Sequence, residues 1–298
     1  MTVTRRAPKD RPVTTRLPTS ARSALLAAAA WLAAALLAVA ASQPAAAQGR
    51  LEAQYEASLA GIPVGRGTWA IEIGDDSYSA AAAGGTTGLL KTISNGAGTG
   101  ASQGRVVGGA LVPQAYQAST STSKKSEAVH ITLLNGNIKE YGIEPVPPVD
   151  ADRIPITDAH KKGVWDPMSS TLVRVPGTGE VVSPEACNTG AAVFDGRMRY
   201  ELRLDFKRME TVKAEKGYYG PVVVCALYFT PIAGYIPDRP VIRYLAGQRN
   251  IEIAFAPIAG TRFLVPFRTV IPTPLGTAVL EATHFVTQAT PPHVAKTQ

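Results

Sequence analysis

The sequence predicts an all-β protein with minor α content: a strongly curved antiparallel sheet or open barrel carrying one or two short helices. Three observations point there. Short β-type segments recur through residues 51–285, separated by Gly, Pro, Asn and Asp, with few helical patterns between them. Asn135-Gly136 joins two such segments and is a strong hairpin signal, because both residues tolerate the positive φ that a two-residue turn requires. From residue 197 to 207, Met198, Tyr200, Leu202, Leu204 and Phe206 alternate with Arg197, Arg199, Glu201, Arg203, Asp205 and Lys207. A period of two puts the apolar set on one face of a strand and a solvated charge ladder on the other.

The chain opens with a basic stretch holding Arg5, Arg6, Lys9, Arg11, Arg16 and Arg22, followed by an Ala/Leu-rich run over 23–41 and the small-residue site Ala45-Ala46-Ala47-Gln48. This is the pattern of a secretory signal peptide over 1–47, removed on export to the periplasm by the general route. No Cys follows the apolar run, which excludes lipid attachment there, and no membrane span is expected after cleavage. The leader carries six of the 30 basic and one of the 23 acidic residues, so 24 and 22 remain and the net charge of +7 falls to about +2. That near-balance removes the electrostatic support for a nucleic-acid partner. A single β domain is expected over 48–289, and a flexible tail over 290–298.

The strands are expected in order. Residues 51–59 and 67–73 flank Ala60-Gly61-Ile62-Pro63-Val64-Gly65, a hairpin connection, and residues 78–82, 105–112, 116–121, 128–134 and 138–143 continue the series. Glu144-Pro145-Val146-Pro147-Pro148-Val149 cannot pair as an inner strand and reads as a surface crossover. A short helix is expected at Asp166-Pro167-Met168-Ser169, where Asp caps free N–H groups and Pro suits the first helical position; a second helical turn is expected over 87–93. Phe194-Asp195-Gly196 supplies a turn, with Asp195 as turn chemistry rather than an acid catalyst. Residues 222–229 lack polar alternation and read as a strand buried on both faces. Pro231-Ile232-Ala233-Gly234-Tyr235 then breaks the sheet, and strands over 241–245, 251–256, 262–269 and 276–285 complete it.

Cys187 and Cys225 both lie in the exported part, where thiols are oxidised, so one disulfide between them is the natural reading. Closing a loop of about 39 residues stabilises a fold by roughly 4 kcal/mol in the chain-entropy model.

Chemistry-bearing motifs are scarce. Gly100-Ala101-Ser102-Gln103-Gly104 matches the nucleophile-elbow pattern, and Asp195 and His284 follow in the Ser, Asp, His order of a serine hydrolase. That pattern needs a strand-turn-helix context, and the Gly/Ala/Ser-rich surroundings do not supply it. His130, His160, His284 and His293 are scattered without ligand spacing, so no metal is expected, and no nucleotide or calcium fingerprint calls for a cofactor.

Gly61-Ile62-x-Val64-Gly65 after an aromatic strand, Asp166-Pro167-Met168-Ser169, Phe194-Asp195-Gly196-Arg197-x-Arg199-Tyr200 and Pro231-Ile232-Ala233-Gly234-Tyr235 form an ordered set. This set resembles the exported Gram-negative domain of unknown function family three-one-zero-eight (DUF3108), over roughly residues 51–285. It is similar, more distantly, to envelope-integrity β-spiral proteins and to lipoprotein carriers whose curved sheet wraps a hydrophobic groove, although no long helix is present here to plug one. The resemblance implies a β-spiral variant of the curved sheet and no catalytic residues. A monomer is expected that binds either a lipid or acyl ligand or another envelope protein. The candidate groove residues are Trp69, Met198, Tyr200, Leu202, Phe206, Tyr228 and Phe229.

Overall fold

In a computed structural model of the chain, the structure describes residues 48–88, 91 and 95–290. The expected leader over 1–47, part of the expected helical turn over 87–93, and all but the first residue of the expected tail lie outside the described residues. The strands are β1 (Gly49–Leu59), β2 (Ile62–Ile73), β3 (Ser77–Thr86), β4 (Ala97–Val107), β5 (Ala110–Ser121), β6 (Ser126–Leu134), β7 (Asn137–Glu144), β8 (Val173–Arg174), β9 (Thr189–Phe194), β10 (Arg199–Lys213), β11 (Lys216–Gly217), β12 (Tyr219–Ala233), β13 (Ile251–Pro257), β14 (Phe263–Thr273) and β15 (Gly276–Ala289). The helix α1 (Pro240–Gly247) lies between β12 and β13.

All fifteen strands belong to one sheet, ordered β7-β6-β5-β4-β3-β2-β1-β15-β14-β13-β12-β10-β9, with β8 beside β14 and β11 beside β15. Apart from the short β11–β15 pair, the strand pairing is antiparallel. The sheet is not closed into a barrel, since the end strands β7 and β9 do not pair with each other. It is nevertheless strongly curled. Tyr55 of β1, Ile71 of β2, Leu111 of β5, Val224 of β12 and Phe267 of β14 enter one apolar cluster, which strands so far apart in the order share only if the sheet rolls around them.

What fills the seam between the two ends is a loop. Val164 donates its N–H to the Gly136 carbonyl at 2.7 Å, in the turn before β7, and Trp165 exchanges hydrogen bonds with Ala192 and Phe194 of β9 at 2.8 and 2.9 Å. Val164 and Phe194 then pack with Ile131 and Leu133 of β6 in a small cluster of their own. The loop thereby pairs with the edge of β9 and reaches the turn before β7, while Tyr141 of β7 and Phe194 of β9 meet edge to face with ring centroids 5.0 Å apart.

β12 is buried on both faces from Val222 to Ala226. Val222 and Val224 enter the interior of the roll, whereas Val223 and Cys225 pack outward with Leu204 and Phe255 beneath Val173, Val175 and Cys187. Cys187 and Cys225 are disulfide-bonded, with Cα atoms 5.5 Å apart. The charges of β10 pair along the strand: Arg199 with Glu201 at 3.1 Å, Arg203 with Asp205, and Lys207 with Glu252 of β13 at 2.6 Å.

Several expected boundaries are corrected. Residues 105–112 are not one strand; they straddle the hairpin of β4 and β5, whose turn Gly108-Gly109 has φ of +58° and +71°. The first half of β4, Ala97-Gly98-Thr99-Gly100-Ala101, has no apolar alternation to reveal it. The six-residue connection expected over 60–65 shrinks to Ala60-Gly61, with φ of +49° and +80°, and β2 starts at Ile62. β12 continues through Pro231 to Ala233 before the sheet breaks. Residues 241–245 are helix instead of strand: Pro240 occupies the first turn, and Tyr244 anchors the helix by donating to the Pro272 carbonyl at 2.9 Å. Its β-branched Val241-Ile242 pair misled the propensity reading. The helix expected after Asp166 is a single 3-10 turn, Ser169–Thr171.

Candidate ligand cleft

The local chemistry of Asp166 organises the loop that crosses the sheet. The following Pro167 cannot donate, so the side chain of Asp166 turns back and its Oδ1 accepts from the N–H groups of Met168 and Ser169 at 3.0 and 2.9 Å. Its Oδ2 accepts from Ser102 Oγ of β4 at 3.1 Å. Ser102 lies 2.7 Å from Ser169 Oγ, which lies 2.6 Å from the Tyr78 hydroxyl of β3. Each hydroxyl carries one proton, so with that of Ser102 given to Asp166 the order is fixed: Tyr78 donates to Ser169, Ser169 to Ser102, Ser102 to Asp166. All four groups are buried. Burial pushes the Asp166 carboxyl above its ordinary value despite these donors, and pushes the phenols of Tyr78 and Tyr116 up to about 12.

Two further ties hold the rest of the loop. Arg262 spends its guanidinium on three carbonyls, those of Val175, Pro176 and Gly179, at 2.9, 3.0 and 2.8 Å. The disulfide then pins Cys187 to β12. A loop tied at Asp166, Arg262 and Cys187 is a pre-formed wall.

Between this wall and the sheet lies an apolar cleft of about 300 Å³, at the small end of the range for small-molecule sites. Leu202, Leu204, Leu227 and Ile253 line it from β10, β12 and β13, Trp165 and Leu172 from the loop, and Leu111 and Phe263 from β5 and β14. Leu202 and Leu227 are partly exposed, so the cleft opens to solvent. The charged residue that lines it is Arg174, exposed at the rim.

Of the expected groove residues, the cleft takes in Leu202 alone. Tyr200 and Phe229 lie on the same face of β10 and β12 farther along the strands, with ring centroids 5.4 Å apart. Tyr228 points to the other face, its ring 4.2 Å beneath the Arg203 guanidinium, because neighbouring strand residues face opposite ways. Phe206 is 46% exposed, at a β-bulge between Phe206 and Arg208 that breaks the expected alternation. Trp69 sits on β2 against the main core, 6.4 Å from Tyr55, and Met198 lies in the turn before β10. These residues do not form one groove. Arg174, Trp165 and Ile253 are not among the expected groove residues; the signal that could have found Arg174 is the apolar run Leu172-Val173 and Val175 around one charge.

The remaining motif residues are turn chemistry. Asp195 Oδ1 accepts from the N–H groups of Arg197 and Met198 at 2.8 and 2.6 Å, and burial raises its carboxyl. Gly196 has φ +90°, and a Cβ there would meet Val129 at 2.7 Å. Gly65 sits in β2, where an added Cβ would come within 3.1 Å of the Gly85 carbonyl, and Gly234 at φ +78° approaches the Arg197 carbonyl.

Ser102 is not on an elbow. It is in mid-strand, paired with Ala80 and Tyr116, 2% exposed, and its hydrogen-bond partners among the described residues include no histidine. His284 lies on β15 and lines a separate, polar depression with Glu56 and Arg66. Among the described residues no three His, Cys, Asp or Glu side chains gather as a metal site, and no helix is long and apolar enough to cross a membrane.

The family model described as "Protein of unknown function (DUF3108)" matches residues 54–283. No curated protein matches the chain. Among solved structures, the chain is similar to a beta-barrel-like protein of domain of unknown function DUF1849 from Brucella abortus, with 10% identity and a TM-score of 0.42 over 82% of this chain and 98% of that one.

Proposed function

We propose, for a chain that belongs to the DUF3108 family, a non-catalytic role: an exported periplasmic monomer that binds an apolar component of the cell envelope in the cleft beneath the 164–188 loop. The observation that carries this reading is a solvent-open cleft walled by leucine, isoleucine and aromatic side chains and held open by a loop tied down at three places. The leader and the disulfide agree with an oxidising compartment outside the cytoplasm.

Protein purified from periplasm is expected to release an apolar compound in solvent extracts read by mass spectrometry, and, once stripped, to bind the fluorescent probe N-phenyl-1-naphthylamine. Leu227→Arg, in the cleft lining, is expected to abolish probe binding while the protein stays folded by circular dichroism. Probe binding unchanged in that variant overturns the reading.

A second reading, a scaffold that binds another envelope protein, is supported by the tips of two neighbouring hairpins. Ile62 and Leu275 are 65% and 77% exposed there, where Ala60 donates to the Thr277 carbonyl at 2.9 Å, and Leu280, farther along β15, is 42% exposed. A native pull-down that recovers one stoichiometric protein with an empty cleft favours it. The serine hydrolase alternative is weakened by the mid-strand burial of Ser102, and stoichiometric fluorophosphonate labelling of Ser102 would restore it.

A further inference from the structure

We propose that the cleft is specific for a single-chain amphiphile with a carboxylate head, a medium-chain fatty acid, and that Arg174 receives the head group; this rests on the cleft being a ligand site. Arg174 stands on β8, which pairs with Phe263 and Leu264 of β14, so its backbone is fixed at the rim. Its Nε donates to the carbonyl of Gly109, in the β4–β5 turn, at 2.7 Å. That bond orients the guanidinium and leaves the edge bearing the two terminal nitrogens without a hydrogen bond or ion pair among the described residues. By contrast, Arg197, Arg199 and Arg268 are ion-paired and Arg262 is engaged by three carbonyls.

A planar fork with two parallel donors matches a carboxylate, and it is placed at the mouth of an otherwise uncharged cleft. Volume decides the tail. At about 300 Å³ the cleft is at the small end for small-molecule sites, which suits a single short chain better than a two-chain lipid. Ser170 and Thr171, also in the lining, are already engaged with the Pro167 and Met168 carbonyls at 2.8 and 2.6 Å, so they do not compete for the head.

The experiment measures affinity of the mature, disulfide-bonded protein for decanoate and for decan-1-ol, in wild type, Arg174→Gln and Arg174→Lys. Wild type is expected to prefer decanoate by about tenfold, the worth of one charge-assisted pair at a partly wet rim. Arg174→Gln is expected to lose that preference, binding the two compounds about equally, and Arg174→Lys to restore part of it. Equal affinity of wild type for the two compounds, or an undiminished preference in Arg174→Gln, overturns the head-group assignment and leaves the cleft standing. Failure of wild type to bind either compound overturns the cleft itself, and this inference with it.

Discussion

The hydroxyl of Ser102 on β4 donates to the carboxylate of Asp166 at 3.1 Å, joining two residues 64 positions apart inside the curled sheet. Asp166 also holds two backbone N–H groups, so one carboxylate ties the crossing loop to the strands beneath it. Asp166→Ala leaves those donors buried without an acceptor and is expected to cost about 3 kcal/mol, against about 1 kcal/mol for Ser102→Ala. Urea denaturation midpoints check this; equal effects would show that the carboxylate is not the hub.

The pH dependence has contributions from carboxylates shifted in opposite directions, Asp166 and Asp195 upward and Glu252 downward. Burial raises Asp166 in the folded protein, so its contribution is fully present below the ordinary value of 3.8 and is lost as pH rises through the raised one. Glu252, hydrogen-bonded by Arg208 and Lys207, is held down to about 2, so its contribution is present above the ordinary 4.5 and is lost as pH falls toward 2. Asp166→Asn is expected to flatten the decline on the rising side, and Glu252→Gln the acid limb. Stability measured at a series of pH values for both variants distinguishes the two.

The disulfide closes a loop with a sequence separation of 38, worth about 4 kcal/mol in the chain-entropy model. Replacing both cysteines by serine is expected to lower the thermal midpoint by about 10 °C, since 1 kcal/mol shifts a domain of this size by roughly 2–4 °C. Calorimetry of the oxidised, reduced and double-serine proteins checks it. The reduced protein is also expected to bind the naphthylamine probe more weakly, because the wall of the cleft then has one tie fewer.

Leu204 and Phe206 share the apolar side of one sequence alternation, yet Leu204 is 7% exposed beside the cleft and Phe206 is 46% exposed at the bulge. Leu204→Ala is expected to cost about 3 kcal/mol, and Phe206→Ala under about 1 kcal/mol with no change in probe affinity. A larger effect at Phe206 would contradict the bulge.

Patterns with a short reach were readable from the residues alone: the Asn135-Gly136 turn, the doubly buried run of β12 and the charged face of β10, each written within a dozen positions by the strand period and by the φ that Gly and Asn allow. The Gly/Ala half of β4 and the helix α1 were not readable. Small residues leave no periodic trace, and β-branched residues after a proline follow the packing they meet. Within the cleft, only Leu202 was foreseen. Leu227 and Leu111 line one cleft with Leu172 because the sheet curls, and curling is a property of the described strands together, not of any segment. Local sequence decided which side chains face inward; the tertiary roll decided which of those faces meet a partner and which leave a gap, because burial is settled by atoms that approach from distant parts of the chain.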